Sequence, residues 1–337
     1  MKRARSNSID HLRGPILRSV SRSFYLSIRL LPAQLRDPIG LAYLLARATD
    51  TLADTAEVSA TLRDESLQKL ARAIQGKLSQ NELSNLSESF APLQKNASER
   101  TLIETLPACL DWLAQIQEND RDDIRAVLEH INRGQLLDVR RFGDAAETHA
   151  LATETELDEY TYLVAGCVGE FWTQLCFRHL KNFSDLAPER MRNLGRDYGN
   201  GLQLINILRD AGADFANGRC YFPEEELKAL GIAPNELISR RSDVVPMLDR
   251  WRKKAEQGIT AGIEYCCAIQ PVRVRLATAL PALIGARTLA LLRAAGVGAL
   301  QQKIKVPRSE VRAIISSATI SLASPRALRK HFERLSQ

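Results

Sequence analysis

The sequence is poor in aromatic residues and in anything that would bind zinc or span a bilayer. Aromatic side chains make up 6% of the 337 residues, and no basic run is interleaved with them. A nucleic-acid partner is therefore not expected. The six cysteines (Cys109, Cys167, Cys176, Cys220, Cys266 and Cys267) form no CxxC pair, and the five histidines do not cluster near them. That excludes ordinary zinc spacing and leaves buried or free thiols in a reducing compartment. The basic start, MKRARSNSID, has no apolar run behind it, so no secretory signal is read there. The longest apolar region, 277–300, is interrupted by Arg287 and Arg293, whereas a membrane span needs about 20 uninterrupted apolar residues. It reads as a buried helix that at most touches a bilayer surface. The expectation is a cytoplasmic protein, peripheral to a membrane at most, with no signal peptide or transmembrane anchor.

What is present is ordinary in bulk and specific in detail. Apolar residues make up 45% and charged residues 26%, the balance of a soluble globular chain. The net charge of +6 and a pI near 9.0 favour an anionic partner. Apolar residues recur at i, i+3, i+4 near 40–55, 101–142, 155–181, 188–214, 243–269, 273–296 and 308–321, which predicts helices. No stretch alternates at period two for long enough to predict a strand. The polar stretches 76–100 and 144–156 read as surface connections, the first as the least structured part of the chain. No Pro/Gly-rich linker splits the sequence, so it reads as one all-α domain, 1–337, with 1–12 as a flexible tail.

The chemistry concentrates in two places. Residues 195–223 carry Gln203, Asn206 and Arg209, then Asp210 and Asp214 four apart, then the turn Gly218-Arg219-Cys220-Tyr221-Phe222-Pro223. Far upstream, Asp50 and Asp54 repeat the spacing behind Arg47. Residues four apart share a helix face, and two carboxylates stacked there repel unless a cation sits between them. Either pair alone is also what a helix ending in solvated carboxylates looks like. Two such pairs, each beside an arginine, describe a site for a hard divalent metal and a polyanion, because Mg²⁺ takes one or two carboxylates plus phosphate oxygens and water.

These segments, with others in order along the chain, resemble the squalene/phytoene synthase family of head-to-head prenyl transferases. Ser21-Arg22-Ser23-Phe24 resembles its SRSF motif, and Tyr43 through Asp54 its first aspartate motif. Gly134 to Phe142 resembles the mid-chain segment with an aspartate, here Asp138. Tyr160 to Gly169 (YTYLVAGCVG) is similar to its Tyr…VAGxVG helix, and Gln203 to Pro223 to the second aspartate motif with its trailing GRxYFP. The pattern departs from the family at Ala53 and Ala213, where an acidic residue often precedes the last aspartate of each motif; a lower metal affinity is the expected consequence.

The resemblance implies an isoprenoid-synthase helical bundle around a central cavity. It implies Mg²⁺, with Mn²⁺ as the alternative, on Asp50, Asp54, Asp210 and Asp214. It assigns diphosphate binding to Ser21, Arg22, Arg47, Gln203, Asn206, Arg209 and Arg219, for which guanidinium groups are suited. Tyr160 corresponds to the tyrosine of proton transfer, and Phe24 and Tyr43 to aromatic faces near the reacting centre; all three also fit plain core. Gly166 and Gly169 serve close packing, against either a prenyl chain or another helix. Lys303 and Lys305 lie where squalene synthases carry a basic segment linked to NADPH, and a basic surface turn would look the same. The activity implied is condensation of two farnesyl diphosphates to presqualene diphosphate and reduction to squalene. Phytoene or dehydrosqualene synthesis without reduction, or presqualene diphosphate as final product, are the alternatives. A non-catalytic assembly factor of the same fold is the reading from another class, disfavoured by the intact aspartate set.

Overall fold

The computed structural model describes residues 8–21, 24–55, 57–143, 148–321 and 324–337. The chain forms two compact units, Met1–Asp144 and Ala145–Gln337, and each is all-α apart from one short strand pair in the second. The expected tail over 1–12 begins outside the described residues. From Ser8 the chain is helical and Leu12 is buried, because Leu12, Ile16 and Leu17 continue one apolar stripe.

The first unit is built on a buried helix. Its elements are α1 (Leu17–Ser21), α2 (Phe24–Leu30), α3 (Ala33–Asp54), α4 (Ala60–Ile74), α5 (Gln80–Phe90), α6 (Ala97–Glu104), α7 (Leu106–Gln115) and α8 (Glu118–Phe142). In α3, Leu41, Leu44, Leu45, Ala48 and Leu52 are fully buried. Helix α8 packs along it and α4 packs on α8. Buried Arg63 donates from Nη1 to the Ala53 carbonyl at 2.8 Å and from Nη2 to the Gly143 carbonyl at 2.6 Å. One guanidinium thus satisfies carbonyls left open at the ends of two helices and fixes the end of α3 that carries the aspartates.

The stretch 76–100, expected to be the least structured, is mostly helical. Helix α5 starts with a capping box in which Ser79 accepts from the Glu82 amide and Glu82 accepts from the Ser79 amide at 3.0 Å. Leu83, Leu86 and Phe90 bury one face of it. That stripe is three residues wide in a polar sequence, so composition hid what spacing contained.

The second unit contains β1 (His149–Leu151), α9 (Glu154–Thr161), α10 (Cys167–His179), α11 (Pro188–Ala216), β2 (Arg219–Pro223), α12 (Glu224–Ala229), α13 (Val245–Ala268), α14 (Val272–Ala295), α15 (Arg308–Ser321) and α16 (Pro325–Leu335). A π-helical turn, Tyr162–Gly166, joins α9 to α10. Helix α11 runs between α10 and α13 with glycine at both crossings. A Cβ on Gly169 would lie 1.9 Å from the Gly195 carbonyl oxygen, and one on Gly201 would lie 2.7 Å from the Gly258 Cα. The small-residue run 165–169 therefore packs against another helix. The core between α13, α14, α15 and α16 includes Ile263, Cys266, Leu280, Leu283, Ile314 and Leu328.

The absence of predicted strands is corrected at one place. β1 and β2 pair in parallel, His149 opposite Arg219, a pairing too short to produce a period-two pattern. Gly218, at φ +76°, makes the turn that ends α11 and starts β2, a conformation a residue with a Cβ rarely adopts. Among the described residues one stretch, Val272–Leu300, is long and apolar enough to cross a membrane, and half of its most apolar window is buried inside the fold. Its arginines are used internally: Arg287 Nε lies 2.8 Å from Glu310, and Arg293 donates to the Ser336 carbonyl at 3.0 Å. Five of the six cysteines are buried and all are free thiols.

Candidate active site

In the first unit, Asp50 and Asp54 sit on the last turns of α3. Arg47, one turn earlier, donates Nη1 to Asp50 Oδ2 and Nη2 to Glu99 of α6. The other Asp50 oxygen accepts from Gln135 Nε2 of α8 at 3.3 Å. Asp138, one turn beyond Gln135 on α8, is buried and adds its negative field. Asp50 is pushed up to about 7, first by burial and then by Asp54, with Glu99 and Asp138 adding to the repulsion that Arg47 only partly offsets. About a third of its side-chain surface is open, yet the carboxylate oxygens lie deep among protein atoms. Burial weighs against the charge on Arg47, but Asp50 and Glu99 outweigh it and raise its pKa above the ordinary value.

Phe24 and Tyr43 stack in the same unit with ring centroids 5.1 Å apart, and the Tyr43 hydroxyl donates to the Val20 carbonyl at 3.2 Å. The Ser21 hydroxyl is buried and donates to the Leu17 carbonyl. Arg22 lies outside the described residues.

In the second unit, α11 presents Gln203, Asn206, Arg209, Asp210 and Asp214. Asn206 Nδ2 donates to Gln203 Oε1 at 3.2 Å. Arg209 grips Asp210 with both Nε, at 3.2 Å, and Nη2, at 2.5 Å. Lys303 Nζ lies 2.8 Å from Asp210 Oδ1. Burial pushes the Asp210 pKa up, but Arg209 and Lys303 outweigh it and hold the carboxyl below its usual range. Asp214 lines a narrow recess with Ala211, Arg219, Tyr221 and Phe222. Tyr160, buried, stacks on Tyr221 at 5.1 Å and 25°. Tyr160 thus stacks on a ring that lines the same recess as Arg219 and Asp214. Lys305 is exposed.

Sequence reasoning missed Glu99, Gln135 and Tyr221 as site members. Glu99 carried a misleading signal: Asn96 accepts from the Ser98 and Glu99 amides, at 3.0 and 3.3 Å, so Asn-x-x-Glu looks like an ordinary helix start. Gln135 and Asp138 were detectable as a polar i, i+3 pair on an otherwise apolar face.

The donors present suit a hard cation. In the first unit Arg47 pairs with Asp50 and Glu99, and Asp54 and Asp138 add their negative field at Asp50. Among the described residues no three Asp, Glu, His or Cys side chains close around one point. Each aspartate pair could by itself supply two carboxylates, and a hard ion held there would need phosphate oxygens or water to complete its shell.

The squalene/phytoene synthase family pattern matches residues 17–310. The bifunctional lycopene cyclase/phytoene synthase of Phaeosphaeria nodorum is 28% identical over 223 residues, which is 66% of this chain and 35% of that protein. The squalene synthase of Candida albicans is 27% identical over 214 residues, 62% of this chain and 44% of that one. This chain thus spans well under two thirds of these relatives' lengths. In fold it is similar to TcSQS in complex with a ligand, with a TM-score of 0.78 at 20% identity, covering 98% of this chain and 90% of that one. With both aspartate pairs and Tyr160 on helices inside the matched span, the chain belongs to the squalene/phytoene synthase family.

Proposed function

We propose that the protein is a Mg²⁺-dependent prenyltransferase that joins two farnesyl diphosphates head to head and reduces the product to squalene with NADPH. The observation that carries this reading is that burial and the neighbouring carboxylates together outweigh Arg47 at Asp50 and raise its carboxyl. Asp50, Asp54, Asp210 and Asp214 are the residues that would hold the ions. Bound there, Mg²⁺ supplies charge neutralisation to a departing diphosphate. Arg47, Arg209 and Arg219 orient the same diphosphate. When it leaves the first substrate, the allylic cation is attacked by the double bond of the second, and loss of a proton closes the cyclopropane of presqualene diphosphate. Tyr160 is the residue assigned in this reading to take that proton or to assist the leaving group. The paired rings Phe24/Tyr43 and Tyr160/Tyr221 offer faces that stabilise a carbocation by up to ~2 kcal/mol.

Reduction is the step with the thinnest support in the residues. Lys303 is engaged by Asp210, which leaves Lys305 as the open lysine of the basic segment. Phytoene or dehydrosqualene synthesis is therefore the second reading. Peripheral membrane contact belongs to the same proposal. Helix α16 turns Leu328 and His331 inward and exposes Arg326, Arg329, Lys330 and Arg334, a basic face suited to anionic lipid. Co-sedimentation with phosphatidylserine vesicles but not with phosphatidylcholine vesicles tests it.

The deciding experiment is product analysis of purified protein with farnesyl diphosphate and Mg²⁺, with and without NADPH. Squalene is expected with the reductant and presqualene diphosphate without it. A C40 product from geranylgeranyl diphosphate overturns the substrate assignment. Turnover surviving in the Asp50→Asn/Asp210→Asn double variant overturns the chemistry.

A further inference from the structure

We propose that Lys303 is the resident counter-cation of the second aspartate pair, and that it must leave Asp210 before a divalent ion can take that carboxylate. The inference rests on the metal-binding reading above.

The placement of Lys303 is built from two sides. The segment 301–306 alternates, with Ile304 and Val306 buried and Lys303 and Lys305 exposed. Val306 belongs to the core between α13, α14, α15 and α16, which anchors one end. The other end is anchored on α11 itself. The Leu300 carbonyl lies against Gly212, where a Cβ would stand 2.4 Å from its oxygen. Gly212 lies two residues along α11 from each aspartate, and its missing side chain lets this backbone rest directly on the helix. From there Lys303 reaches Asp210 Oδ1 at 2.8 Å.

Both Asp210 oxygens already face cations: Oδ1 receives Lys303 and Arg209 Nε, and Oδ2 receives Arg209 Nη2. A magnesium-sized ion needs an oxygen at about 2.0–2.1 Å, and an ammonium group on that oxygen repels it. Arg209 is adjacent in sequence and travels with the helix. Lys303 arrives on a separate segment, and 54% of its side-chain surface is open against 22% for Asp210. It is therefore the cation that can be displaced without unfolding anything. Its departure couples the 301–306 segment to the state of the aspartate pair.

The test is direct titration of purified protein with Mn²⁺, without substrate, following the free-ion electron paramagnetic resonance signal. Lys303→Gln is expected to bind about two- to five-fold tighter than wild type at low salt, the range of one exposed ion pair. The difference should shrink as ionic strength rises. In an Asp210→Asn background the same substitution should change nothing, since the partner is gone. Wild-type binding that Lys303→Gln leaves unchanged or weakens overturns this inference alone. A wild-type protein that binds no Mn²⁺ overturns the metal reading and this inference with it.

Discussion

Asp50→Asn should stabilise the metal-free protein while weakening its response to Mg²⁺. The wild-type carboxylate is pushed from 3.8 up to about 7, mainly by burial, which at roughly 1.4 kcal/mol per unit amounts to about 4 kcal/mol at alkaline pH. A third of the side chain is open, and solvent screening reduces this to about 2 kcal/mol. That figure already includes the attraction of Arg47, which keeps Glu99 in the variant. The net gain near pH 8 is about 2 kcal/mol, or a Tm about 2–4 °C higher. The sign follows from linkage. The folded protein holds the Asp50 proton more tightly than the unfolded chain does. The stability this provides is complete below pH 3.8 and is lost as pH rises through about 7. The advantage of the variant is therefore largest above pH 7 and shrinks toward pH 4. The assay is thermal melting by circular dichroism across pH 4–8 in EDTA, repeated with Mg²⁺, which should raise the wild-type Tm more than the variant's. A variant less stable than wild type at pH 8, or a gap independent of pH, refutes the electrostatic account of the first carboxylate pair.

Tyr160→Phe preserves the stack on Tyr221 and removes only the hydroxyl, so folding should be unchanged while kcat falls by about 10²–10⁴; a turnover number within a factor of three of wild type would remove Tyr160 from the chemistry. Gly169→Ala drives a Cβ to 1.9 Å from the Gly195 carbonyl oxygen, so it should cost about 1–3 kcal/mol in denaturant melts. Gly14→Ala, at a helical glycine with nothing within 4 Å of its Cβ position, should be neutral or stabilising by up to about 1 kcal/mol. Equal effects of the two alanines would show that close packing at the α10/α11 crossing is not what holds that unit.

Helix existence was legible in this sequence wherever an apolar stripe ran longer than three turns, as in α3, α8, α11 and α13. It failed where the stripe was short and the background polar. Helix α5 buries only Leu83, Leu86 and Phe90 and depends on the Ser79–Glu82 box for its start. The strand pair failed for the opposite reason: three residues of β1 carry no period, and only tertiary pairing to β2 makes them a strand. The site divides the same way. Arg47, Asp50 and Asp54 form one local cluster and Arg209, Asp210 and Asp214 another, and spacing alone drew out each of them. Glu99 and Gln135 reach Asp50 from 49 and 85 positions away, where no local rule operates.

The two aspartate pairs look equivalent as sequence, each an i, i+4 couple beside an arginine, yet their electrostatics have opposite signs. At Asp50 the arginine is shared with Glu99, and burial together with Asp54, Glu99 and Asp138 outweighs it, so the carboxyl is raised. At Asp210 the arginine is undivided and Lys303 adds a second cation, so the carboxyl is lowered. A divalent ion arriving at the first pair relieves repulsion that already exists; one arriving at the second must displace an ammonium group. Loading should accordingly favour the first pair. In the Mn²⁺ titration Asp50→Asn then removes the tighter class of sites and Asp210→Asn the weaker one. Loss of the tighter class in Asp210→Asn instead would mean that local charge balance does not govern which carboxylates the metal takes first.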